Sequence, residues 1–127
     1  MATDIVYVPS PNRTQASGGQ TSGMTRTNAI AGQASINASI MTAAPRTSSG
    51  VHHHGEQDTI IYALSGKGSV LTEGGKKRVD LGPGDFCLIP KGLEHQEVND
   101  SDEEVVWVIT RSGDSANVVN VDNWTKP

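Results

Sequence analysis

Short apolar runs, each closed by a turn signal, fill the chain from Asn28 onward. Residues 38–44 stop at Pro45, 59–64 at Ser65-Gly66, and 68–72 at Glu73-Gly74-Gly75. Residues 78–81 are closed by Gly82-Pro83-Gly84, 86–89 by Pro90, and 96–98 by Asn99-Asp100; 104–110 is the last strong run. Runs of this length repeating every ten residues or so predict strands in a sandwich or barrel. No amphipathic helix of useful length competes with that reading. The fold class predicted is all-β.

Composition narrows the possibilities. A chain of 127 residues suits one domain. Its 14 Gly and 6 Pro supply the turns that short strands need. Lys and Arg number 10 against 14 Asp and Glu, giving a formal charge of -4. No basic field exists to hold a phosphate backbone, so nucleic acid is not expected as a partner. The single cysteine, Cys87, rules out an internal disulfide framework and a cysteine-based zinc finger. It lies in an apolar run and reads as a neutral thiol. The first residues lack a basic segment followed by an apolar one, and no stretch approaches a membrane span. A cytoplasmic protein with no membrane partner is expected.

Three zones follow. Residues 1–28, rich in Ser, Thr and Gly, read as an N-terminal arm packed on the barrel or mobile beside it. Residues 29–112 form the strand region. Residues 113–127 are a tail or an edge strand. Arg26, in the arm, has two readings: a solvated arginine, or a cover for the barrel mouth that binds a substrate carboxylate. Trp107 reads as core.

All four histidines fall in two places, His52-His53-His54 and His95. Side chains two apart on a strand share a face, so His52 and His54 project together and His53 projects away. Two imidazoles on one face can hold a divalent ion if a third ligand arrives from a neighbouring strand, and His95 can supply it.

The surroundings of His95 carry a family resemblance. Gly84, Pro90, Gly92, His95 and Asn99 meet every fixed position of the second cupin motif, G-x5-P-x-G-x2-H-x3-N. His52, His54 and Gly66 fit the first motif, G-x5-H-x-H-x3-4-E-x6-G; Arg46 stands at its leading Gly and Thr59 at its Glu. From about residue 38 to 111 the chain resembles small single-domain cupins. The resemblance implies a cupin β-barrel (a double-stranded β-helix, or jelly roll) and commonly a homodimer. Ile60 and Tyr62, predicted to face outward, suit a second sheet or a subunit partner.

Thr59 leaves three arrangements open. His52, His54 and His95 alone hold the ion, which resembles the three-histidine iron site of thiol dioxygenases. Or a bulge turns Asp58 inward, although plain alternation puts Thr59, Ile61 and Ala63 inside and Asp58 outside. Or Glu97, two residues after His95 and so on its face, serves as ligand or as general acid or base. The cofactor expected is one divalent transition metal: Fe, Mn, Zn or Ni. The function expected is a metalloenzyme acting on a small oxygenated metabolite, by dioxygenase-, isomerase- or lyase-type chemistry. The rival is a barrel that binds a small ligand, with its metal structural or absent.

Overall fold

Alternation of buried and exposed side chains organises the strands. The structure, a computed structural model, describes residues 1–15 and 22–125. Its strands are β1 (Thr14–Gln15), β2 (Met24–Ile30), β3 (Ile36–Ala43), β4 (Thr47–Ser48), β5 (His52–His53) and β6 (Thr59–Ser65). They continue with β7 (Gly68–Thr72), β8 (Lys77–Leu81), β9 (Phe86–Ile89), β10 (Gln96–Asn99), β11 (Val105–Ser112) and β12 (Val119–Asn120). A six-stranded sheet runs β1-β2-β3-β11-β6-β9, and a four-stranded sheet runs β4-β10-β7-β8. Every pairing is antiparallel. Among the described residues no helix is long and apolar enough to cross a membrane.

The central strands alternate with period two. On β3 and β11 every second residue is buried, and on β6 Thr59, Ile61 and Ala63 are buried as alternation requires. These inner faces meet Val70 and Leu81 of the smaller sheet around Trp107, so one apolar core spans both sheets. Burying a side chain such as Ile61 contributes about 1.5–3 kcal/mol. Gly66 turns the chain out of β6 with φ +76°, and a Cβ there would collide with the Glu104 carbonyl. Arg46, at the motif's leading Gly, adopts φ 60°, the left-handed conformation that glycine takes at least cost.

β2 runs across residues 28/29, where the arm was expected to meet the strand region. β2 pairs with β3 from Met24↔Ala43 to Ile30↔Ala38. Thr, Arg and Asn on β2 hide its strand character, because the wall it lines is polar rather than apolar. Residues 16–21 of the expected arm lie outside the described residues. In the tail, Val119 and Asn120 pair with His53 and His52, adding a short strand beside the histidines.

Candidate metal centre

The two histidine segments meet through their backbones. His52 N–H donates to the His95 carbonyl at 3.0 Å, and His95 N–H to the His52 carbonyl at 2.9 Å. This isolated antiparallel bridge places two rings, far apart in sequence, with centroids 4.3 Å apart. His54 stands 5.3 Å from the His52 ring and 4.7 Å from the His95 ring. His53 projects away, and its Nδ1 accepts the Gly55 N–H at 3.0 Å.

Second partners fix the orientation of each ring. His52 Nδ1–H donates to the Gly50 carbonyl at 3.0 Å, and His95 Nδ1–H to the Leu93 carbonyl at 2.9 Å. A carbonyl only accepts, so in both rings the proton sits on Nδ1 and the lone pair on Nε2. His54 Nδ1 bonds the Thr59 hydroxyl at 2.7 Å. Thr59 therefore orients a histidine in this chain, at the position where the motif has a carboxylate.

Glu97 supplies the carboxylate. It follows His95 by two residues on the same face of β10, and its Oε2 lies 3.7 Å from His52 Nε2 and 3.9 Å from His95 Nε2. Its backbone is held by Ser49: Glu97 N–H donates to Ser49 Oγ at 2.9 Å, and Ser49 N–H to the Glu97 carbonyl at 2.8 Å. One ligand atom from each of His52, His54, His95 and Glu97 falls within 4.8 Å of the others, and all four residues are buried. Asp58 lies outside this group. It is exposed, and its Oδ1 accepts the Lys91 N–H at 3.0 Å, so no bulge turns it inward.

The electrostatics suit a cation. Burial pushes the Glu97 carboxyl up, but His52 foremost, with His95 and His54, outweighs burial and holds it well below the usual carboxylate range. The His52 imidazole is pulled down by burial and more strongly up by Glu97, ending above its ordinary value. Burial, then the Arg111 charge, pushes His54 down to about 2, and burial also lowers His95. His54 and His95 are therefore neutral donors. Their Nε2 atoms are buried without a hydrogen-bond partner. Buried polar nitrogens are rarely left so. Two inward lone pairs beside a carboxylate fit a divalent transition ion.

The sequence profile of the Cupin domain matches residues 39–111, more than half of the chain. The chain belongs to the cupin family. The matched range runs from β3 to β11, and β2 lies outside it. An uncharacterized protein of Aquifex aeolicus (strain VF5) is 41% identical over 64 residues. That match spans 50% of this chain and 51% of the relative, about half the relative's length. Two solved cupin structures share the fold. The polyketide cyclase RemF from Streptomyces resistomycificus has a TM-score of 0.78 over 98% of this chain and 90% of its own, at 19% identity. A Bacillus subtilis oxalate decarboxylase with Mn(II) centers has a TM-score of 0.72 over 80% of this chain and 29% of its own, also at 19% identity.

The remaining candidates sort by burial. Trp107 is core. Cys87 packs against the core, and burial raises its thiol, keeping it protonated. Arg26 sits on the inner side of β2, opposite the buried Met41. Sequence reasoning missed Arg111, which is buried on the inner face of β11 opposite Thr59. A signal existed: Val105, Trp107, Ile109 and Arg111 keep one phase.

Proposed function

We propose that this cupin is a metalloenzyme in which His52, His54 and His95 bind one divalent transition metal and Glu97 completes the donor set. The observation that carries this is the convergence of four buried ligand atoms within 4.8 Å, two of them otherwise unpartnered imidazole nitrogens. When bound, such an ion supplies Lewis acidity toward a carbonyl or enolate oxygen. The chain's own residues prepare the site. Gly50 and Leu93 carbonyls set the tautomers of His52 and His95, Thr59 steers His54, and Ile61 and Trp107 close the apolar side against water. The structural neighbours, a polyketide cyclase and an oxalate decarboxylase, act on oxygen-rich molecules by their names, which supports a small oxygenated metabolite as substrate. The position of Glu97 among the histidines favours this over a purely ligand-holding barrel.

Elemental analysis of untagged protein tests the reading. About one metal per chain is expected, as in a three- or four-ligand site. His52→Ala and His95→Ala each abolish uptake, while His53→Ala retains it. No metal in the purified protein and none after incubation with Mn(II), Fe(II), Ni(II) or Zn(II) would sink the assignment.

A homodimer is part of the same proposal. Among the described residues β9 pairs with β6 alone, and Phe86 and Leu88 stand exposed on it. A two-fold contact around that strand covers the same patch on both copies.

A further inference from the structure

The inner wall formed by β2, β3 and β11 carries a second set of unpartnered atoms. Arg26 Nε, Ser39 Oγ, Trp107 Nε1 and Arg111 Nε are each buried without a hydrogen-bond partner. All four groups donate, and three have no acceptor capacity. In register, Ser39 of β3 lies between Asn28 of β2 and Ile109 of β11. Arg26 is two residues from Asn28 and Arg111 two from Ile109, so both arginines share the inner face with Ser39. Arg111 is 3% exposed, and its guanidinium makes a long hydrogen bond, Nη1 to the Asn117 carbonyl at 3.4 Å.

Charge sharpens the point. Each guanidinium feels Glu97, and Arg111 also feels Arg26 as a like charge. Burial first and Arg26 second push Arg111 down to about 10, which still leaves it ionised at neutral pH. Two cations, Arg111 buried and Arg26 half-buried, thus share one carboxylate, and that carboxylate faces the histidines. An uncompensated buried charge is strongly destabilising. A wall of donors with surplus positive charge calls for a ligand that is anionic and rich in acceptors.

We propose that Arg26, Ser39 and Arg111 form an anion subsite on the barrel wall that takes one carboxylate of a small organic acid. The acid's second oxygen donor is directed toward the histidine–glutamate cluster. That second half rests on the metal reading above, whereas the carboxylate subsite does not. A guanidinium fork matches a carboxylate in shape as well as charge, so the subsite selects acids over neutral amides.

Malonate and its neutral counterpart malonamide are the probes, titrated calorimetrically into the full chain with and without Co(II). Malonate binds the wild type and malonamide does not. Arg111→Ala and Arg26→Ala each weaken malonate by about tenfold or more, with Arg111→Lys between. Arg111→Ala takes up Co(II) like the wild type, and malonate shifts the Co(II) absorption bands of the wild type. A purely structural Arg111 would lower the melting temperature of the variants and leave the preference for malonate over malonamide intact, which overturns the proposal. So would equal malonate affinity in wild type, Arg26→Ala and Arg111→Ala, or no malonate binding at all. If Arg111→Ala does not fold, Arg26→Ala and Arg111→Lys carry the test. Arginine-dependent malonate binding in a protein that takes up no Co(II) would uphold the subsite and remove the metal reading alone.

Discussion

The two faces of β6 differ in a way that reverses the usual division between core and surface. Inward, Thr59, Ile61 and Ala63 are at most 1% exposed, and the polar Thr59 is as buried as the apolar pair. Outward, Ile60 and Leu64 are 47% and 53% exposed, and on neighbouring β9 Phe86 and Leu88 reach 70% and 63%. Polar groups are therefore hidden, and apolar groups shown, on one strand pair. Burying hydroxyls, imidazoles and guanidiniums costs stability unless each finds a partner. Exposing a phenylalanine and two leucines costs solubility. On the reading proposed above, the inward departure serves a ligand and the outward one a second copy.

Three sets of substitutions would break or sharpen that contrast. The largest effect on folding is expected at Ile61→Ala, which empties part of the shared core and costs about 3 kcal/mol. Ile60→Ala, its outward neighbour, costs less than about 0.5 kcal/mol. Urea unfolding of dilute protein compares them, and equal losses would mean that the two faces are not distinct. Thr59→Val comes next. It keeps the side chain's shape and removes the hydroxyl that bonds His54, so metal affinity falls by about 10- to 100-fold. Competition with a chelator reads this, and unchanged affinity would make Thr59 a filler only. The smallest effect on folding is expected for the double change Phe86→Ser and Leu88→Ser, under about 0.5 kcal/mol per site in the monomer. Sedimentation should nonetheless show the dimer dissociating while metal content stays constant. A wild type that is monomeric at all concentrations would remove the outward half of the contrast.

Much of this was legible in the sequence, for physical reasons that also explain the gaps. Strands β3, β6, β7, β9 and β11 announce themselves because each holds an apolar run with Gly or Pro close to its end. Period-two spacing puts His52 with His54 and His95 with Glu97, since i and i+2 share a face; the bridge between His52 and His95 that joins the two pairs was not legible there, and the sequence left Asp58, Glu97 and water open as the further ligand. β2 was hidden because it faces the polar part of the wall, where alternation leaves no hydrophobic trace. Arg111 was hidden by its place beside Ser112 and Gly113, where a charged residue reads as a strand end at the surface. The role of Thr59 could not be inferred from composition. It depends on the turn after His54 bringing that ring back over the start of β6, where Gln57 N–H bonds the His54 carbonyl at 3.1 Å.

The placement of β2 has a consequence for how such a protein diversifies. The candidate ligands sit on β5, on β10 and on the residues that follow β5 and precede β10, whereas Arg26 rides on β2, which among the described residues pairs with β3 and the short β1. On the proposed subsite, substitutions on β2 are expected to alter which acid is preferred while replacing none of the four candidate ligands and none of the residues that pair β3 with β11. The proposed subsite thus keeps one selecting residue, Arg26, on a strand that holds none of the four candidate ligands, where it can be exchanged without replacing any of them.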